Sequence, residues 1–432
     1  MNRTVIISII LVFYWMPALN GQNVLTLKEC YNRAMTATAL AGEKAAYSDI
    51  WNLKDNNLLK GWLPTLDANA NVVYNSEVVD ISGVLAAAPI PGLADAIKPL
   101  PNEQYRITVD INQVIYDGGS IKSAREMEKT ELKVNSQQTE VDLYKVKAQI
   151  NTVYFNILLL VRQKELLISF LEVISKRLES MKSALKYGVI AISDINVITS
   201  EKIRIEQQLG ETEIKKNALL KILSDLTGSD IDQETEFVVP EPAGEMSDEI
   251  TRPELTLFDL RKEQLDAGLR LIQSNRLPKA AGFATLGYGN PPGNNFFKDE
   301  FAPYYILGAG LKWNIFDWNK AKNEKQVITL QKEIIETRKN DLTDNLRRML
   351  DSKEAEIASL KSLIEKDSEL ISLRKSITIA AESQYENGTI TATDLLNEMN
   401  SERQAVINHE IHKINLAMAK IEYLNISGKE IN

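Results

Sequence analysis

Only two histidines occur in the chain, His409 and His412, in the string NHEIH. Side chains three apart on a helix are neighbours on one face, so the pair presents two imidazoles together, the start of a metal site. The two-histidine zinc-protease helix spaces them by four, and a metal would need further ligands in a buried setting. No metal or other cofactor is expected. The string YDGGS at 116 to 120 lacks the Lys-Ser/Thr of a phosphate-binding loop, and no nucleophile elbow is present, so the chain reads as a non-enzyme. Its single cysteine, Cys30 in TLKECYN, rules out an internal disulfide framework. Cys30 is expected to be a packed helix residue, because the small residues that precede a lipidated cysteine are missing.

A different kind of chemistry sits in a turn written twice. YGVIAISDINVIT (187 to 199) returns as NGTITATDLLNEM (387 to 399), with glycine, hydroxyl residue and aspartate in the same places. Gly188 and Gly388 suit the left-handed conformation that ends a helix. Ser193 and Thr393 are expected to cap the helix that follows, with Asp194 and Asp394 in its first turn, where the helix dipole favours negative charge. Capping leaves Val189, Ile190, Ala191 and Ile192, and Thr389 and Ile390 in the second copy, without a role. Apolar residues at an exposed tip suggest a surface for a partner.

The elements that carry these turns are themselves duplicated at the same offset of 200. QVIYDGGSIKSA (113 to 124) falls on WNIFDWNKAKNE (313 to 324), while GWLPTLDANANVVYN (61 to 75) pairs with NRLPKAAGFATLGYGN (275 to 290) at an offset of 214. Fourteen extra residues therefore lie in the first loop, and internal duplication is the cause. From 119 to 187 apolar residues recur at threes and fours: Leu143, Val146, Ile150, Val153, Ile157, Leu160, Ile174, Leu178, Met181 and Leu185. The second half repeats the pattern with Leu342, Leu346, Met349, Ile357, Leu360, Ile364 and Ile371. The spacing predicts heptad-like rods of roughly 100 Å.

Two alternating segments precede each rod. Leu66, Ala68, Ala70, Val72 and Tyr74 share one face, as do Tyr105, Ile107, Val109 and Ile111; polar residues take the other. Ala280, Gly282, Ala284, Leu286 and Tyr288, then Tyr305, Leu307, Ala309, Leu311 and Trp313, repeat this in the second half. Strands of about ten residues, apolar on one side and polar on the other, suit a membrane barrel. Trp62, Tyr116, Trp313, Phe316 and Trp318 stand where strands meet helices, and Tyr74, Tyr105, Tyr288, Tyr304 and Tyr305 stand at the opposite ends, as two interfacial girdles require. Four strands cannot close alone in lipid, so several chains must share one barrel. A soluble sandwich face, within a periplasmic coiled-coil scaffold or adaptor without a pore, is the alternative reading.

The first 21 residues have the form of a secretory signal, with Arg3 ahead of an apolar run too short to span a membrane. The net charge of −9 disfavours a nucleic-acid partner.

Taken in order, LTLKECYNRAM, the LP that opens each odd strand, VIYDGG and NIFDWN, the two turns, LSDLTG and RPEL resemble the TolC family of outer-membrane efflux proteins across the mature chain. The resemblance implies a mainly α fold with membrane β structure: a homotrimer whose three copies, at four strands each, share a 12-stranded β-barrel continued by a coiled-coil helical barrel. It implies a signal at 1 to 21, structural repeats at 22 to 227 and 256 to 432, and a linker at 228 to 255 crossing the helices at mid-height. It implies a place in the outer membrane of a Gram-negative bacterium, extending into the periplasm, with loops 76 to 104 and 291 to 303 outside. The function implied is that of a passive exit duct in an efflux or type I secretion system. Partners would be outer-membrane lipid, a periplasmic adaptor (membrane fusion) protein and an inner-membrane pump of RND or ABC type. The tips Gly188, Val189, Ile190, Ala191 and Ile192, with Gly388, Thr389 and Ile390, would dock the adaptor. Tyr385, Asp394, Ser193, Asp194 and Asn397 would line a periplasmic aperture. The family's arginine stands here as Ile390 and a second acidic position as Asn397, so no arginine bridge is expected at that point, while Tyr385 is placed to hydrogen-bond Asp194. Three Asp394 side chains in a ring would favour cations.

Overall fold

The computed structural model describes residues 24–79, 100–241, 249–295 and 298–430. The proposed signal, most of the longer first loop and part of the linker lie outside them. The elements run β1 (Val24–Leu25), α1 (Leu27–Ala37), α2 (Glu43–Leu59), β2 (Thr65–Tyr74), β3 (Glu103–Tyr116), α3 (Ser120–Lys186), α4 (Ile192–Thr227), β4 (Glu236–Phe237), α5 (Pro253–Ser274), β5 (Lys279–Asn290), β6 (Ala302–Lys312), α6 (Lys320–Glu386) and α7 (Ala392–Ser427). The chain divides into two compact units, each drawn from both halves of the sequence.

One unit, Lys44–Gln137 with Leu257–Arg338, holds a four-stranded sheet ordered β2-β3-β5-β6. All neighbours are antiparallel, and the register preserves the alternation across the sheet. Leu66, Ile111, Ala284 and Leu307 form one cross-strand row, and Ala68, Val109, Leu286 and Tyr305 the next. Between them, on the other face, run Asp67, Asp110, Thr285 and Ile306. A slip of one residue would exchange the faces, so the pattern itself fixes the pairing. On the polar face Asp110 accepts hydrogen bonds from Asn69 (2.8 Å), Thr108 (3.0 Å) and Thr285 (2.5 Å), tying three strands through one carboxylate. There too the Tyr304 ring lies over Gly287 and the Phe283 ring over Gly308; a Cβ at either glycine would come within 2.3 Å of the ring. A bulge between Val114 and Tyr116 brings Tyr116 opposite Ala280, on the apolar face.

That apolar face is bare. Leu66 is 69% and Leu311 72% exposed. β2 and β6 have no strand beyond them among the described residues.

The other unit, Met1–Glu43, Gln138–Thr256 and Lys339–Asn432, contains three apolar clusters. The first packs Ile150, Tyr154 and Ile157 of α3 against Leu27, Cys30 and Ala34 of α1, Leu223 of α4 and Ile421 of α7. Tyr154 donates to the Leu25 or Val238 carbonyl, each 2.8 Å away, and its ring meets Phe237 at 5.4 Å. One buried tyrosine thereby ties α3 to both strands of the parallel β1–β4 pair. The second cluster joins Ile174, Leu178 and Met181 to Ile198, Leu395 and Met399. In the third, along α6, Leu346, Leu350, Ile357 and Leu360 are buried, whereas Met349 is exposed. The expected stripe is corrected there by one position, because 3.6 residues per turn carry the buried line from Leu346 to Leu350.

Near the end of the linker, Thr251 donates its amide to the Ser427 carbonyl at 2.7 Å, and Gly428 (φ +88) turns so close that a Cβ would stand 2.6 Å from Thr251. The linker is thus pinned to the end of α7.

Candidate functional site

The two turns have one geometry. Gly188 (φ +73) and Gly388 (φ +71) are left-handed. Gly188 N–H donates to Leu185 and Val189 N–H to Ala184; Gly388 and Thr389 do the same to Tyr385 and Gln384. These paired bonds satisfy the last carbonyls of α3 and α6.

The helix starts lie two residues earlier than expected. Thr391, not Thr393, is the N-cap of α7: Asp394 N–H donates to Thr391 Oγ1 (3.2 Å), while Asp394 Oδ2 accepts from Thr391 N–H (3.0 Å). At α4 the cap is Ala191, not Ser193; Asp194 accepts the Ala191 amide at 3.1 Å, and no hydroxyl answers from residue 191. Ser193 and Thr393 are displaced because each aspartate takes the third helical position and binds back to the residue three before it. The hydrogen bonds from the Thr391 side chain and backbone hold the Asp394 carboxyl below its ordinary value.

Of the apolar tip residues, Val189, Ala191 and Ile192 are exposed, Val189 by 74%. Ile190 and Ile390 are half-buried and pack against the second apolar cluster. Gly388 and Thr389 are exposed. Tyr385, Asp194 and Gly188 line one cavity of about 740 Å³ with Arg177, Ile390 and Thr391. The expected hydrogen bond from Tyr385 to Asp194 is absent; the buried hydroxyl has no partner. Desolvation, with the Asp194 charge, raises the Tyr385 hydroxyl above its ordinary value. Asp394 faces its own cap, and Asn397 is exposed on α7, its carbonyl accepting from Ser401.

Sequence reading missed Arg177. It is 17% exposed, donates to Glu382 and lies 3.8 Å from Glu386, bridging α3 and α6 directly above the turns. Its signal was a charge set within the apolar line of Ile174, Leu178 and Met181.

The aromatic residues of the two proposed girdles lie at the two ends of the strands. Trp62, Tyr116, Trp313 and Trp318 stand at the helix-proximal end, where the Trp313 indole donates to the Arg276 carbonyl at 3.1 Å. Tyr74, Tyr105, Tyr288 and Tyr305 stand at the loop end; Tyr105 and Tyr288 both contact the Phe301 ring. His412 makes a 2.6 Å bond to the buried Asp367 carboxylate, and His409 lies 3.9 Å from the same oxygen. No group of three or more metal-ligating side chains in metal-binding geometry occurs among the described residues.

These elements, an open amphipathic sheet and very long helices, make up the fold of outer-membrane channels, as the TolC-family resemblance implied. Among solved structures, the chain is similar to the CmeC outer membrane channel of Campylobacter jejuni, at 14% identity and a TM-score of 0.65, over 93% of this chain and 85% of that one. The outer membrane protein VceC of Vibrio cholerae matches at 13% identity and a TM-score of 0.67, over 94% and 97%. The MtrE outer membrane channel of Neisseria gonorrhoeae, in its open state, matches at 15% and 0.65, over 94% and 89%. No protein-family model matches the chain, and no curated protein does.

Proposed function

We propose that the protein is an outer-membrane exit duct that conducts solutes passively from a periplasmic adaptor and an inner-membrane pump, of RND or ABC type, to the outside. The observation that carries this reading is the sheet: its apolar face is exposed and the outer edges of β2 and β6 have no partner strand among the described residues. In lipid such edges leave backbone groups without partners, so β6 of one copy must meet β2 of the next. Three copies would give twelve strands. No helix among the described residues is long and apolar enough to cross a membrane.

On this reading residues 1–21 are a removed signal, and 22–227 and 256–432 are repeats joined by the linker 228–255. The exposed Val189, Ala191 and Ile192, with Gly188, Gly388 and Thr389, form the docking tips; Ile190 and Ile390 support them from behind. Tyr385, Asp194, Asp394, Ser193 and Asn397 lie around the aperture, and Arg177 holds its two sides together. A pore-free scaffold has no use for a ten-residue lipid-facing alternation on four strands.

The experiment is conductance in planar bilayers. Purified protein should form discrete, long-lived channels that prefer cations, and Asp394→Ala should reduce that preference. Absence of any conductance from detergent-stable oligomers would reject the duct; an unchanged preference in the variant would reject only the aspartate ring.

A further inference from the structure

Away from the tip cavity, α3, α6 and α7 enclose a second cavity of about 370 Å³. Its walls are largely apolar, with Phe170 and Val173 from α3, Ile379 from α6, and Met399 and Val406 from α7. One of its lining residues is a buried cation. Arg403 has only 11% of its side chain exposed, and its Nε and Nη1 donors are buried without a hydrogen-bond partner. Its guanidinium lies 4.7 Å from the centre of the Phe170 ring.

Among the described residues, the carboxylate within ion-pair distance does not satisfy it. Glu201, 5% exposed, stands 3.7 Å from Arg403 Nη1, beyond hydrogen-bond range, while Arg204 takes the same oxygen at 2.6 Å. Two guanidiniums thus share one carboxylate, leaving a surplus positive charge. Glu382, on the cavity wall, is already held by Arg177; Lys375 and Glu402 also line the cavity, one charge of each sign. Desolvation pulls the Arg403 guanidinium below its ordinary value, with Glu201 opposing. Buried donors without acceptors cost stability, and an arginine fork is suited to a carboxylate.

We propose that this cavity is a binding site for a small apolar monocarboxylate, its carboxylate received by Arg403 and its apolar body by Phe170, Met399 and Val406. Volume and lining are those of a small-molecule pocket at the lower end of the usual range. An aromatic acid suits it better than an aliphatic one of equal size, since Phe170 offers a ring to stack against. The occupant would also touch Glu382, and so the ion pair that spans the tips.

Full-length protein in amphipol, free of competing detergent, tests this by calorimetric titration with 2-naphthoate and its uncharged isostere 2-naphthamide. Naphthoate should bind once per chain, about tenfold or more tighter than naphthamide, as expected for a charge-assisted hydrogen bond in a desolvated site. Arg403→Gln should remove that advantage and leave naphthamide binding unchanged. Val173→Trp, at an exposed position on the cavity wall, should block both ligands. Equal affinity for acid and amide, or naphthoate binding unaffected by Arg403→Gln, would reduce the site to an apolar crevice and overturn the proposal. Saturable binding of neither ligand would mean that another protein surface closes the cavity, and would overturn it equally. None of these outcomes bears on conductance, so this site and the duct stand or fall separately.

Discussion

At the scale of single residues the two tips are capped differently, and the difference stands openly in the sequence. Thr391 caps α7 with its hydroxyl, whereas Ala191 offers α4 only its backbone. Ala191→Thr should therefore stabilise the start of α4 by about 1 kcal/mol, the usual value of a hydroxyl cap. Hydrogen exchange at Ile192 to Ile195 would show it as roughly fivefold slower amide exchange; unchanged exchange would mean that the α4 terminus is not limited by its cap. The glycines and aspartates of these turns were legible because left-handed backbone and a first-turn carboxylate each call for few residue types. The caps were not, since Ser193 and Thr393 compete with residue 191 and 391 for the role and only the aspartate's reach decides between them. Arg177 and Arg403 were illegible for a different reason. Their partners, Glu382 and Glu201, lie on other helices, and no spacing along one chain reports a contact between two.

At the scale of elements the strands were the most readable part, because period-two alternation survives into a register whose central rows stay apolar, with Gln113 opposite Gly282 and Asn290 opposite Tyr105 breaking the pattern only towards the strand ends. The helical rods were readable in extent and less so in phase, as Met349 shows. What joins α1, α3 and the linker was hidden: Tyr154, an unremarkable position in the heptad run, bonds to Leu25 and Val238. That cluster also sets a pH limit. Burial pushes the Cys30 thiol from 9.0 to about 12 and the Tyr144 hydroxyl from 10.0 to about 12, and raises Tyr31 and Tyr154 as well. Folded-state values above the unfolded ones mean that this contribution to stability is intact below about pH 9 and is lost as pH climbs towards the folded values. Alkaline titration followed by tyrosinate absorbance should show a cooperative late phase coincident with loss of helical circular dichroism. Below it, Cys30 should resist maleimide. Smooth titration of all tyrosines near pH 10 with the helices intact would contradict the buried collar.

At the scale of the whole molecule one physical fact organises the rest: a sheet greasy on one face and wet on the other, with Leu66 and Leu311 bare on the two strands that have no outer neighbour among the described residues. Duplication explains why each chain brings four strands in two similar pairs. The number of copies was not legible from alternation, which demands closure but sets no count. The most direct measurement is native mass spectrometry of the protein extracted from outer membranes in mild detergent. The account predicts a complex of three chains that dissociates only on heating, because opening it exposes β2 and β6 together. A single chain, stable and soluble after the detergent is removed, would contradict it.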